Sequence, residues 1–496
     1  MPLRGKLGFN MKLSFGVGQA AEGFFGAAYG TFLIFYYNQV LGMPGTLAGA
    51  AVGIALVVDA FTDPLAGSLS DHWNSRHGRR HPFMYASILP LMLSFYFLFF
   101  PLVTSDLGLF VWLVVFSNAT RTSMSLYHVP HIALGAEMSE DYDERSKLVG
   151  YRMFFANVGV LLTFALGFGY FFLPTPEFEN GQLNAASYPP FAILLAVLMG
   201  ITIFWSGWGT RAAIPHLPTV PPAPRLGLVQ VLWRVLVDIA AAMRSRSFRW
   251  LFLGVLIVFV MVGVNGGLDL YIFTYFWELD RVSLLTVILA YPVGVMLGSF
   301  FCPAFFNRFG KKAGLMFGAC SWPLWQTLPI VARLLDWFPE NGDPMLVVLL
   351  VAIKVVQGAC TVQANVAFGS MVADIVDEHE YETGHRQEGI FFAASSFSAK
   401  ATSGIGNVIA GVALDIISWP RGAHIRTAAD VPPETLVNLG LVYGPIVAAF
   451  GFVSVWCYTH YRLSRERHAE ILDVLAERRA AASAQGALAA SPAGSG

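Results

Sequence analysis

Apolar segments long enough to cross a bilayer recur from one end of this 496-residue chain to the other; "LFLGVLIVFVMVGVNGGLDLYIFTYF", residues 251–276, is one of them. A hydrocarbon layer about 30 Å thick is crossed by roughly 20 helical residues, and a helix satisfies its own backbone hydrogen bonds where no water can. Twelve such runs are legible, near 12–40, 46–70, 82–103, 107–136, 148–173, 188–210, 249–278, 283–306, 313–335, 344–375, 389–417 and 435–460. With 55% hydrophobic and 13% charged residues and a mean hydropathy of +0.58, the chain carries too much apolar surface for one water-soluble core. The expected class is an all-α integral membrane protein with twelve transmembrane helices, multi-pass in a plasma membrane.

A net charge of −1 hides an asymmetry. If the N-terminus is cytoplasmic, the even-numbered connections collect Arg76, Arg79, Arg80, Arg145, Lys147, Arg308, Lys311 and Lys312, and the tail adds Arg462, Arg465 and Arg467. The opposite loops, such as "TPEFENGQLNAAS" and "DWFPENGDP", carry almost none, so both termini are expected in the cytoplasm. The first apolar segment is too long for a signal h-region and lacks a small-residue cleavage site. Cys302, Cys320, Cys360 and Cys457 all fall within spans, which predicts reduced, packed thiols.

The chain divides near its middle. "PHLPTVPPAPR" at 215–225 is a linker, and the following "LVQVLWRVLVDIAAAMRSR" suits a helix lying on the membrane surface. The expected plan is an N-terminal six-helix half (1–212), a linker with a surface helix (213–248), a C-terminal six-helix half (249–462) and a tail (463–496) whose Ala/Gly/Ser end is disordered. The halves look duplicated. "RHGRR" at 76–80 follows helix two as "RFGKK" at 308–312 follows helix eight, and the acids Glu137, Glu140 and Asp143 after helix four recur at the same offsets as Asp374, Asp377 and Glu380 after helix ten. A duplicated six-helix unit is the plan of transporters whose halves rock about a midplane site.

"VDAFTDPLAGSLSD" places Asp59 and Asp63 one turn apart on one face of the second span, with Thr62 beside them. Ionised acids at such depth are costly and repel one another, so something positive must offset them. A Na⁺, Li⁺ or H⁺ between them would do so, with hydroxyl oxygens completing the shell of a hard cation. Asp71, beside "HGRRHP", reads instead as the partner of an arginine.

"DAFTDPLAGSLSD…NSRHGRRHP", "YHVPHIALGAEMSEDYDERSKLVGYRMFFANVG" at 127–159 and "MVADIVDEHEYETGHRQEGIFFAASSFSAKATSGIG" at 371–406 together resemble the glycoside-pentoside-hexuronide:cation symporters, the melibiose-permease branch of the major facilitator superfamily. The resemblance covers nearly the whole chain. It implies the two-half facilitator fold in a bacterial inner membrane, a cation site at Asp59 and Asp63 with Thr62 and Ser125 as hydroxyl contributors, and Arg152 and Lys400 between cation and substrate. Lys400 could then serve as a movable counter-charge when no cation is bound. The sugar-binding acids of helices one and four are missing: those places read Gly23, next to Glu22, and His128. "HVP" at 128–130 and the surroundings of Lys400 also look like lysolipid:sodium symporters.

Other polar groups inside spans are substrate candidates: Glu22, Arg121, His128, Asn265, Asp269 and Gln19, with Lys354 facing either the cavity or the interface. Arg121 could hold a carboxylate or phosphate head group. His128 could bind hydroxyls or shuttle a proton. Ion pairs of Arg76, Arg79, Arg80, Arg308 and Lys311 with Glu137, Asp143, Asp374 and Asp377 are expected to hold the outward-open state and break on inward opening. No phosphate loop appears and "GVGQAAEG" lies within an apolar helix, so enzymes and ATP-driven pumps are excluded. The expected function is cation-coupled symport of a glycoside-type solute by alternating access, with Na⁺ or H⁺ as coupling ion, no cofactor and no metal beyond a possible Na⁺ at Asp59 and Asp63. Its alternatives are transport of a lysophospholipid or other amphiphile, or a non-transporting receptor or scaffold. The expected partners are a small or amphipathic solute and the bilayer, not nucleic acid, and the chain is expected to be a monomer.

Overall fold

A computed structural model of the chain describes residues 7–71, 73, 75–139, 141–217, 230, 233, 237, 239–384 and 388–490. Among them the regular structure is helical. In chain order the helices are α1 (Phe9–Gly18), α2 (Ala20–Phe35), α3 (Gly45–Asp71), α4 (His81–Leu98), α5 (Asp106–Glu137), α6 (Tyr142–Leu166), α7 (Tyr188–Thr210), α8 (Arg246–Tyr271), α9 (Arg281–Ser299), α10 (Cys302–Phe309), α11 (Lys311–Leu334), α12 (Pro344–Thr383), α13 (Glu388–Ile416), α14 (Pro433–Leu441), α15 (Val447–Thr459) and α16 (Arg465–Ala490). Single π-helical turns prolong α2, α6, α8 and α14, at Tyr36–Val40, Gly167–Phe171, Ile272–Phe276 and Val442–Ile446.

Each of the twelve expected spans falls on a described helix or on two consecutive ones, and eight helical stretches are long and apolar enough to cross a membrane. α5 and α13, which carry Arg121, His128 and Lys400, fall outside those eight. Side chains ahead of the helices take up orphan backbone donors, as Ser105 does for Gly108, Asp141 for Glu144 and Ser245 for Phe248. The matching loops "RHGRR" and "RFGKK" share a physical need: Gly78 (φ +78°) and Gly310 (φ +84°) both turn the chain through left-handed backbone just before the next helix.

The four cysteines are free. The surface-helix expectation falls largely on 218–229, 231–232, 234–236 and 238, outside the described residues. The tail departs from expectation, because α16 runs on through the Ala-rich stretch to Ala490. Alanine is the best helix former, which composition-based disorder overlooks.

Apart from a charge cluster halfway along, many of the polar contacts between residues before 217 and after 246 lie at one end of the bundle. There the Tyr271 hydroxyl donates to Asn38 Oδ1 (2.7 Å), Trp419 Nε1 to Gln39 Oε1 (2.7 Å) and the Tyr275 hydroxyl to the Ile425 carbonyl (3.0 Å), while Asp415 accepts from the backbone N–H groups of Gly45 (3.0 Å) and Thr46 (2.7 Å) at the start of α3. Below that seal α3 and α13 touch through glycines. A Cβ on Gly411 would lie 2.1 Å from the Gly45 carbonyl oxygen, and one on Gly49 would lie 2.4 Å from that of Asn407. Small residues let helix backbones approach this closely. Gly411→Val should therefore prise this end open, so that a cysteine placed at the fully buried Ala48 reacts several-fold faster with a membrane-impermeant maleimide. Unchanged labelling would show that the glycine contact does not hold the end shut.

Candidate functional site

Midway along the bundle, α3, α5 and α13 bring four charges together. Asp59 is 4% exposed; its Oδ1 accepts from the Ser125 hydroxyl (2.8 Å) and its Oδ2 from Arg121 Nη1 (2.8 Å). Lys400 Nζ lies between the two acids, 2.8 Å from Asp59 Oδ2 and 2.5 Å from Asp63 Oδ2. The i,i+4 spacings of Asp59 with Asp63 and of Arg121 with Ser125 aim each helix's pair at the same point. Two carboxylates and two cations sum to zero, so the repulsion between the acids is offset from within the chain. Thr62 does not reach a carboxylate: its hydroxyl donates to the Asp59 carbonyl (3.2 Å) and stands 3.5 Å from Ser125 Oγ.

The cluster forms one wall of a cavity of about 800 Å³, which also meets Glu22, His128 and the apolar Phe25, Ile132, Phe259 and Phe397. The cavity lies on the side of Asp71 and Glu137, away from the sealed end. Arg121, expected at the substrate, lines this cavity and also binds the chain's own Asp59, and its guanidinium stacks 4.4 Å from the centre of the Tyr29 ring. Sequence separation gives no register between helices, so this pairing was not legible beforehand, although the one-turn step from Arg121 to Ser125 hinted at a shared face.

Other candidates are placed differently. Gln19 is buried and donates to Glu22 (3.4 Å) rather than lining the cavity. Arg152 does not line it either; its Nε is buried without a hydrogen-bond partner among the described residues. Asn265 and Asp269 face a separate recess of about 330 Å³; Lys354, expected at either the cavity or the interface, lines it too, as do Gln326, Gln357 and Tyr443, which the sequence did not single out; Val262 lines both spaces. Asn265 and Gln326 exchange amide hydrogen bonds at 3.0 and 2.9 Å. Among the described residues no group of three or more His, Cys, Asp or Glu could hold a metal ion.

The expected gating pairs form, but not as a latch. Arg79 and Arg80 each lie 2.7 Å from Glu137 Oε1, Arg80 also pairs with Asp71, and Lys311 lies 2.7 Å from Asp374. Asp377 is met by His468 of the tail helix at 3.1 Å. Arg76 is exposed, Arg308 is exposed beside Phe309, and the Asp143 side chain is outside the described residues. These pairs persist while the cavity lies on their side. Those of Arg79, Arg80 and Lys311 clamp neighbouring helices and that of Asp377 holds the tail helix; none of them joins residues before 217 to residues after 246. Glu137→Ala, which strips partners from Arg80 (4% exposed), should cost on the order of 3 kcal/mol in unfolding experiments. Lys311→Ala should cost under about 1 kcal/mol because Lys311 is half in solvent. Equal losses would contradict the clamp.

Apolar helices of membrane-crossing length, an internally neutralised charge cluster and a central cavity are what a multi-pass membrane transporter needs. Residues 14–465 match the family described as MFS/sugar transport protein, and the chain belongs to that family. It is 23% identical to the isoprimeverose transporter of Lactiplantibacillus pentosus, over 86% of this chain and 83% of that one. It is 24% identical to a glucuronide carrier protein homolog of Escherichia coli, over 91% and 93%. Among solved structures, the D-xylose-proton symporter superposes with a TM-score of 0.58 at 14% identity (91% of this chain, 97% of that one), and the nucleoside transporter NupG with 0.59 at 14% identity (92% and 99%). All of these are transporters, and the chain is a transporter rather than an enzyme.

Proposed function

We propose that the chain is a symporter that couples a cation, Na⁺ or H⁺, to a glycoside-type solute by alternating access, with both termini cytoplasmic and the segments 1–212 and 249–462 as the rocking halves. The observation that carries this reading is Lys400 seated between Asp59 and Asp63. An incoming cation competes with that ammonium for the acids. Arg121 is packed on Tyr29 and its side chain is 12% exposed, whereas the Lys400 side chain is 29% exposed and hangs on a flexible stem, so Lys400 is the group that yields. The cation then takes Asp63, with Ser125 near the shared Asp59, and released Lys400 is free to meet the solute with Glu22 and His128. By linkage, solute raises cation affinity as much as cation raises solute affinity. The names of the relatives, a sugar transporter and a glucuronide carrier, support the solute class.

The test is the melting temperature of the purified protein with glycosides and with Na⁺ or at varied pH, since a ligand of the folded state raises it by mass action. Stabilisation by sugar that grows with the coupling cation is expected; sugars without effect under every cation condition would refute the reading. A second reading, an amphipathic solute, is favoured by a groove of about 340 Å³ between α3 and α13 lined only by alanine, glycine, isoleucine and valine, which suits a hydrocarbon tail. Lysophosphatidylcholine in the same assay separates the two.

A further inference from the structure

We propose that the recess beside the central cavity, bounded by α8, α9, α11 and α12, is where a neutral, hydroxyl-rich ring of the solute is recognised, through Lys354, Asp269 and Gln357 against the wall of Trp322. The inference rests on the sugar reading above and says where the sugar sits. At about 330 Å³ the recess falls within the range of small-molecule pockets, which begin near 300 Å³. It neighbours the central cavity along α8, where Val262 lines both.

Its polar groups have unused capacity. Gln357 is 1% exposed; its Nε2 donates to the Trp322 carbonyl (3.0 Å), and its Oε1 has no partner among the described residues. Asp269 Oδ1 accepts the Tyr443 hydroxyl at 2.5 Å, leaving the second oxygen for another donor. Lys354 Nζ stands 5.6 Å from the centre of the Phe273 ring and, among the described residues, has no carboxylate within ion-pair distance. The recess therefore offers donors from Lys354 and acceptors from Asp269 and Gln357. A hydroxyl both donates and accepts, so neighbouring hydroxyls on one ring match this mixed set. The opposite charges of Lys354 and Asp269 cancel, which favours a neutral guest: a carboxylate drawn to Lys354 would face Asp269, and an ammonium the reverse. Trp322 and Tyr291 supply flat apolar surface for the C–H face of a ring.

Binding of isoprimeverose, a neutral disaccharide, and of methyl glucuronide, its charged counterpart, would be measured on the purified full chain, with the sugar-free melting temperature of each variant as the folding control. Lys354→Met and Gln357→Leu should each weaken isoprimeverose binding about tenfold or more, as expected for lost hydrogen bonds to buried polar groups. Gly266→Leu fills the recess without removing a polar group; its Cβ would have only the Gly30 carbonyl oxygen, at 3.6 Å, as a neighbour. It should abolish binding with the melting temperature unchanged, so the proposal stays open to test even if the polar variants misfold. Undiminished binding in Gly266→Leu, or tighter binding of the glucuronide than of the neutral sugar, would overturn the recess while leaving sugar transport intact. No binding of either sugar to the parent chain would remove both.

Discussion

Asp59→Ala will destabilise the protein by about 3–5 kcal/mol and abolish coupled uptake. The carboxylate it removes is shared by Arg121, Lys400 and Ser125, each 2.8 Å away. Lys400 keeps Asp63, but Arg121, which has no other carboxylate within ion-pair distance among the described residues, is left as an uncompensated charge in the bundle. The cost lies in stranding that charge and not in losing the attraction itself. Asp59→Asn combined with Arg121→Gln should therefore recover most of the stability, with uptake still lost. Denaturant or thermal unfolding of the single and double variants checks this, and a double variant as unstable as Asp59→Ala would locate the damage elsewhere.

Lys400→Met should have the second-largest effect, on ion response rather than on folding. Removing the ammonium leaves Asp63 facing Asp59 with only Arg121 to balance two carboxylates. The vacated position is then attractive to an external cation at all times. The variant is expected to melt at a temperature that rises more steeply with Na⁺, or with falling pH, than the parent's does, and to lose accumulation of solute because the cation no longer leaves. A response to Na⁺ and pH no larger than the parent's would mean that Lys400 does not compete with the cation.

Much of the architecture was readable from segment length and apolarity, because a bilayer leaves a chain few ways to satisfy its backbone. The facing of Asp59 and Asp63 was readable from their one-turn step, and the matching of basic loops with acidic runs from the repeat, though not which residue pairs with which. What joins different helices was not. Lys400 lies 337 positions from Asp63, and its place came only from resemblance to a family. Arg121 looked like a solute ligand because nothing in α5 shows which way α3 turns its acids. Gln357 and Gln326 did not stand out in the sequence, since only packing shows which amides meet at a recess. The basic loops carried the right kind of partners, but the sequence did not show that Arg79 and Lys311 each pair with an acid on their own side of residues 217–246.

The most direct test of the central claim is accumulation of isoprimeverose in membrane vesicles under imposed Na⁺ and pH gradients, comparing the parent with Asp63→Asn. Displacement of Lys400 by a cation at Asp63 predicts that the parent concentrates the sugar under one of the gradients, while Asp63→Asn lets it equilibrate without concentrating it. Accumulation by Asp63→Asn equal to the parent's would contradict the account.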